Sequence, residues 1–392
     1  MRPPSQLRAA ACALMVVARA SLQPRSGASP ISGAGPIPVI DLGRVARGEF
    51  HDDDVAALRD ACAFPGFFHV VNHGLSDEVL RGFEAAMRRF FALPTATKRR
   101  VKRTRDNSRG FADDEFTKRT RDVKELYDYG HAPRPDLPPD ARENRVMDGF
   151  NQIPDDLEGF REAIDAYYAG CARVCECLLR GVAASLGLPP DACDAHFGKE
   201  HTSYLRLNYY PAHAGERFAS AATDLDRARV ATGAAVDDAD TPLSSLGGPR
   251  LGVNRHFDAG GLTLLLQDPD VSSLQVNLNA HGSGDPEWVD VTPVPGALTV
   301  NVGDMLQVLS NGKYKAPEHR VLASPPGKVR YSAPFFYNPA YDAEIAPLDR
   351  AAAPRYSPFA WGYFRRRRFE GDFADEGLDE IQIADYVTDK GE

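Results

Sequence analysis

His256-Phe257-Asp258 and, 61 positions beyond Asp258, His319 are the side chains whose types and spacing suit transition-metal chemistry. On a β-strand, residues i and i+2 point to one face, so His256 and Asp258 are expected to grip one ion together. His319, arriving from a later strand, would complete two histidines and one carboxylate on one side of the metal. That donor set suits Fe(II) and leaves positions open for oxygen and a co-substrate. A bare H-x-D is cheap, and His51-Asp52-Asp53 repeats it. This second copy is continued by Asp54 and has no strand alternation around it, so it reads as a solvated loop. His256 instead leads into Gly261–Gln267, a short apolar run of buried-strand type. For the triad alone, a satisfied core histidine is the competing reading.

Arg330-Tyr331-Ser332 follows His319 by eleven residues, on the strand-like run Tyr331–Tyr337. Arg330 and Ser332 share a face, and a guanidinium fork beside a hydroxyl is a natural clamp for a carboxylate. A surface arginine with a neighbouring serine is the plainer alternative. Leu205–Pro211 alternates as a strand should and offers Asn208 and Tyr210 on one face. An ordinary strand with a buried tyrosine would look the same.

Together these stretches resemble the 2-oxoglutarate- and Fe(II)-dependent dioxygenases, in the branch that includes isopenicillin N synthase and the plant gibberellin and flavonoid oxidases. The motifs run in family order: Ile37–Leu42, Gly66-Phe67-Phe68 with Asn72-His73-Gly74, Lys124-Glu125-Leu126, Asn208–Pro211, His256–Asp258, Leu274–Val276, Pro295–Asp304, Asn311–Lys315, His319–Val321, and Arg330–Ser332 with Pro334–Phe336. Gly371–Phe373 and Gln382–Tyr386 look like C-terminal signatures, so the likeness covers roughly residues 37–388.

The resemblance implies a mixed α and β fold, with a double-stranded β-helix (jelly roll) core and flanking helices from the N-terminal region. It implies iron held by His256, Asp258 and His319, and the distal carboxylate of 2-oxoglutarate held by Arg330 and Ser332. Tyr210 would assist that carboxylate, with Asn208 at the rim. O2 is the oxidant and ascorbate an accessory reductant. The implied reaction oxidises a C–H bond of a small organic substrate and releases succinate and CO2. Phe335, Tyr337 and the apolar strands are expected to shield the open coordination face from water.

Composition narrows the field. A net charge of −9 over 392 residues argues against a nucleic-acid-binding role, which needs a basic face. Hydrophobic content of 43% supports a packed core. The basic runs Lys98–Arg103 and Arg365–Arg368 read as solvated stretches. Cys171, Cys175 and Cys177 lie in an apolar-periodic helix, Phe160–Leu186, with no partner pair that completes a tetrahedral zinc site. Buried free thiols and a reducing compartment follow. A monomer is expected.

Residues 1–36 carry four arginines and no acid, with a nine-residue apolar run, Ala9–Val17, too short to span a bilayer. They read as a cleavable targeting segment; a plastid or mitochondrial transit peptide and a secretory signal both fit. An organelle is favoured because Fe(II) and unpaired thiols suit reducing surroundings, and without the segment the chain would be cytoplasmic. Residues 37–150 alternate short strands with helices, including a helix Ser76–Leu93 capped by Ser76. Residues 151–200 supply a long packing helix, 201–340 the jelly roll and 341–392 a C-terminal extension. His69 and His73 have no acidic i+2 partner and read as structural. Forty-four residues separate Pro211 from His256. This insertion, about 214–253, is either a cover over the substrate mouth or a loose excursion.

Three rivals stay open. One is an oxidase of the isopenicillin-N-synthase kind that clamps its substrate's own carboxylate and uses no 2-oxoglutarate. Another is a catalytically silent jelly-roll binding protein. The third, a nucleic-acid demethylase, is disfavoured by the acidic balance.

Overall fold

The computed structural model describes residues 36–104, 107–117, 120–131, 149–198, 200–212, 251–373 and 381–388. The expected targeting segment lies outside these residues apart from residue 36, as does the insertion apart from residues 251–253.

The chain opens with β1 (Val39–Asp41), α1 (Asp52–Ala63) and β2 (Phe67–Val71). Then come α2 (Asp77–Ala92), α3 (Thr95–Lys98), β3 (Gly110–Ala112), the hairpin β4–β5 (Phe116–Thr117, Thr120–Arg121) and β6 (Glu125–Gly130). The long α4 (Phe160–Ser185) and short α5 (Asp194–Phe197) lead to the barrel strands. These are β7 (Tyr204–Tyr210), β8 (Leu251–His256), β9 (Leu262–Gln267), β10 (Leu274–Asn277), β11 (Trp288–Asp290) and β12 (Leu298–Val302). After α6 (Asp304–Leu309) come β13 (His319–Leu322) and β14 (Arg330–Tyr337). The strands β15 (Glu344–Ile345) and β16 (Phe359–Ala360) and the helix α7 (Trp361–Phe373) follow.

Eight strands form one sheet in the order β1-β2-β12-β9-β14-β7-β6-β3, and four form a second, β11-β10-β13-β8. Apart from the parallel β1–β2 edge, the strand ladders among the described residues are antiparallel, so the core is the expected jelly roll. β2 is buried on both sides, which explains why Phe67-Phe68-His69-Val70-Val71 shows no polar alternation, with His69 buried at its centre.

Helices close the outer face of the large sheet. Ser76 caps α2 by accepting from the Val79 N–H at 3.3 Å, and Pro94 cuts the pattern short just after Leu93. On α4, Ile164, Tyr167, Cys171, Val174, Leu178 and Val182 recur at helical spacing and are all buried. Phe83 of α2 stacks on Tyr167 with centroids 3.8 Å apart. Cys171 and Cys175 are buried on one face of α4 while Cys177 is half-buried; each described cysteine is free. Burial pushes the Cys171 thiol up to about 12, consistent with an inert core residue.

Several sequence readings need correction. His51–Asp54 is no loop: His51 precedes α1, whose first turn is Asp52-Asp53-Asp54, with Asp54 buried against Arg44 at 2.6 Å. Three acids at a helix N-terminus complement its dipole, which a loop reading overlooks. The basic run 98–103 is not solvated throughout. Lys98 is buried and bonded to Glu125 at 2.5 Å, while Arg103 reaches Glu115 at 3.3 Å. Arg365 and Arg368 are likewise buried, with only Arg366 of that run exposed. Buried cations survive by pairing, and their partners lie far away in sequence. The expected helix start at Ser76 agrees to within a residue, and Asn311-Gly312 forms a tight turn with φ of 56° and 75°.

Candidate active site

The metal-type residues come from the small sheet. β8 ends at His256, and β13 begins at His319, its direct cross-strand partner. Asp258 sits in the turn after β8 rather than on the strand, correcting the i, i+2 strand argument. The convergence nonetheless holds: one donor atom from each of His256, Asp258 and His319 lies within 4.8 Å of the others. The Asp258 Oδ1 stands 3.6 Å from Nε2 of His256 and 3.6 Å from Nε2 of His319.

The remaining polar atoms of the triad are already engaged. His256 Nδ1 donates to the Asn254 carbonyl at 2.7 Å, and His319 Nδ1 donates to the Pro317 carbonyl at 3.1 Å. Both rings therefore present an Nε2 lone pair to the common centre. Asp258 Oδ2 accepts from Thr263 Oγ1 at 2.5 Å and from Asn301 Nδ2 at 2.8 Å, leaving Oδ1 turned toward the imidazoles. Burial, reinforced by His319, pulls the His256 pKa down to about 3. Burial works the other way on Asp258, but the two imidazoles and its hydrogen bonds outweigh it and hold this carboxyl below its ordinary value. A neutral imidazole beside an ionised carboxylate is the ligating state.

The turn carrying Asp258 is templated from β12 and α6. Asp304 N–H donates to the Asp258 carbonyl at 2.8 Å, Gly303 N–H to Gly261 at 2.9 Å and Met305 N–H to Gly260 at 2.9 Å. A Cβ on Gly303 would lie 2.2 Å from the Gly260 carbonyl oxygen, so only glycine allows this approach. On the other side Arg368 donates to the Phe257 carbonyl at 3.3 Å.

Across the cavity, β7 and β14 of the large sheet pair Tyr210 with Arg330 and Asn208 with Ser332. Arg330 is 1% exposed, yet among the described residues its Nε and Nη1 have no hydrogen-bond partner. Two donors of a buried guanidinium left in this way cost several kcal/mol unless a ligand meets them. Its guanidinium lies 4.9 Å from the centre of the Tyr210 ring. Asn208 Nδ2 donates to Ser332 Oγ at 3.4 Å, and Asn208 Oδ1 is also unmatched. An anionic, multi-oxygen ligand fits these groups, and three N/O donors of the triad fit a ferrous ion. The sequence therefore named residues that the fold brings to one cavity of about 250 Å³.

Phe335 and Tyr337 do not shield that cavity. With the period of two, Arg330, Ser332, Pro334 and Phe336 face inward, while Phe335 and Tyr337 belong to the helix-covered core. Phe336 stacks on Tyr204 with centroids 4.6 Å apart, and both line the cavity.

Sequence reasoning also missed an ionic wall beside them. Arg206 binds Asp128 through two bonds of 2.8 and 2.9 Å and Glu115 at 2.9 Å, and Lys124 bonds Glu115 at 2.7 Å and Asp122 at 2.9 Å. Burial opposes ionisation of Glu115, but Arg206, Lys124 and Arg103 hold its carboxyl well below the usual range. The alternation Tyr204-x-Arg206-x-Asn208-x-Tyr210 carried the one available signal. Among the described residues, the triad is the only metal-type cluster, and His69 and His73 are buried structural histidines as expected.

Comparison with known proteins agrees with this geometry. Residues 201–339 match the model of the 2OG-Fe(II) oxygenase superfamily, and residues 37–156 that of the non-haem dioxygenase in morphine synthesis N-terminal region. The chain is 31% identical to homoarginine-6-hydroxylase 2-ODD-C23.1 of Arabidopsis thaliana, covering 80% of this chain and 87% of that protein. It is 31% identical to jasmonate-induced oxygenase 2 of the same plant, covering 84% and 78%. The crystal structure of JOX2 in complex with 2OG, Fe and JA is 27% identical, with a TM-score of 0.66 over 92% of this chain and 93% of that one. The dioxygenase for auxin oxidation in rice, at 28% identity and a TM-score of 0.63 over 90% and 100%, shares the fold. The chain belongs to the 2-oxoglutarate- and Fe(II)-dependent oxygenases, oxidoreductases that act on small molecules.

Proposed function

We propose that His256, Asp258 and His319 hold the Fe(II), and that Arg330 and Ser332, with Tyr210 and Asn208 beside them, hold the distal carboxylate of 2-oxoglutarate. The observation that carries this reading is the buried Arg330, whose unmatched Nε and Nη1 line the same cavity as the triad. With both groups bound, the centre supplies oxidative decarboxylation of 2-oxoglutarate to succinate and CO2, coupled to oxidation of a substrate C–H bond.

The chain's own groups orient and exclude. Arg330 and Ser332 fix one end of the co-substrate, so its other end is delivered to the triad rather than left to diffuse. The remaining space, bounded by Phe336, Tyr204 and the Arg206–Asp128 wall, receives the primary substrate. We assign that substrate to small metabolites combining a compact apolar body with a charged or strongly polar group. The aromatic pair suits the former and the ionic wall the latter. The relative named for homoarginine hydroxylation is in keeping with this class.

The same reading includes a monomer that engages no nucleic acid, and delivery to a plastid or mitochondrion by residues 1–36. No described helix is long and apolar enough to cross a membrane. The test is substrate-stimulated succinate release by the full chain across a library of charged and neutral metabolites. Succinate stoichiometric with oxidised product supports the reading; full product formation without 2-oxoglutarate identifies the oxidase alternative instead.

A further inference from the structure

The Asp258 carboxylate is held asymmetrically. Its Oδ2 takes two hydrogen bonds, from Thr263 Oγ1 at 2.5 Å and Asn301 Nδ2 at 2.8 Å, while Oδ1 faces both imidazoles. Thr263 and Asn301 are themselves directly paired on neighbouring strands β9 and β12, and both are buried. Their backbones are fixed by the sheet and their side chains are buried, so both are held beside the Asp258 carboxylate. The backbone of the Asp258 turn is pinned by Gly303, Asp304 and Met305 of the same connection. The carboxylate thus has little freedom to rotate.

We infer that Thr263 and Asn301 form a denticity lock: they restrict Asp258 to a single-oxygen ligand and so keep a coordination position open for 2-oxoglutarate. A free carboxylate beside a divalent cation readily offers both oxygens, and doing so would consume one of three positions that the triad leaves on a six-coordinate ion. Two charge-assisted bonds to Oδ2 bias the carboxylate toward one-oxygen binding. Both are positioning residues acting through Asp258. The inference rests on the assignment of Asp258 as an iron ligand proposed above.

The test uses full-length Thr263→Val, which keeps shape and loses the hydroxyl, together with Asn301→Leu, the double variant and the conservative Thr263→Ser. Each is titrated without oxygen, first with Fe(II) against a chromophoric chelator. The iron-loaded protein is then titrated with 2-oxoglutarate, read by its visible charge-transfer absorption. Thr263→Val is expected to bind Fe(II) within about tenfold of wild type or more tightly, yet to bind 2-oxoglutarate at least about tenfold more weakly, the size of one lost charge-assisted bond. Thr263→Ser is expected to restore 2-oxoglutarate binding to within about threefold, which a general packing defect would not predict. If the Asn301 variants fail to fold, as read by circular dichroism, the near-isosteric Thr263 pair decides. An iron-loaded Thr263→Val that binds 2-oxoglutarate like wild type overturns the inference. So does a variant that cannot be loaded with iron, since the pair would then serve ligand retention. Failure of the wild-type protein itself to bind Fe(II) or 2-oxoglutarate counts against the underlying assignment instead.

Discussion

At the residue scale, Arg330 separates co-substrate binding from metal binding. Its side chain lies on the opposite sheet from His256 and His319, so removing it leaves the triad's hydrogen bonds intact. Arg330→Ala is expected to raise the KM for 2-oxoglutarate roughly 10- to 150-fold, the size of a lost charge-assisted bond of about 1.5–3 kcal/mol. Fe(II) affinity measured anaerobically should stay near the wild-type value. An unchanged KM would move the clamp to another residue. The triad and clamp were legible because their side chains are chemically rare in that order. Thr263 and Asn301 were not, since a threonine in an apolar run and an asparagine before Val-Gly-Asp carry no sign of the carboxylate they meet 43 residues away or fewer.

At the scale of elements, β14 offers a test of alternation using two adjacent phenylalanines. Phe335 is fully buried against Tyr168 of α4, with ring centroids 5.0 Å apart, while Phe336 lines the cavity. Phe335→Ala is expected to cost about 3–5 kcal/mol in a denaturant melt. Phe336→Ala should lower stability much less and instead alter KM for the primary substrate. The reverse pattern would mean the strand is out by one residue. Strand existence could be read from sequence, as could α2 and α4, because their apolar periodicity is long. The cavity-facing side of β14 followed from the alternation that pairs Arg330 with Ser332, but Pro334-Phe335-Phe336-Tyr337 is apolar on both faces and so gave no local sign that Phe336 rather than Phe335 continues it. The buried cations Lys98, Arg103, Arg365 and Arg368 escaped for a related reason: local sequence reports charge but not the distant carbonyl or carboxylate that permits burial.

For the whole molecule, buried histidines set an acid limit. Burial pulls His69 down to about 4, and burial together with His131 pulls His201 to about 4, from an ordinary 6.5. Unfolding lets both take up protons near 6.5, which the folded state resists. Their stabilising contribution is therefore complete above about pH 6.5 and is lost as pH falls toward 4. The metal-free protein should show a falling urea midpoint between about pH 7 and 4.5, and a His69→Gln variant a shallower fall. A flat midpoint across that range would contradict the assignment of these rings as neutral core groups. The jelly roll itself was foreseeable from the motif order from Ile37 onward, whereas the split into eight- and four-stranded sheets depends on pairings between distant strands.

The account turns on three side chains meeting at one iron. The most direct measurement is an oxygen-free Fe(II) titration of the wild-type chain beside His256→Ala, Asp258→Ala and His319→Ala, with folding checked in each. One tight equivalent in the wild type, lost or greatly weakened in all three variants, is the predicted result. A variant that keeps the wild-type stoichiometry and affinity would contradict the centre described here.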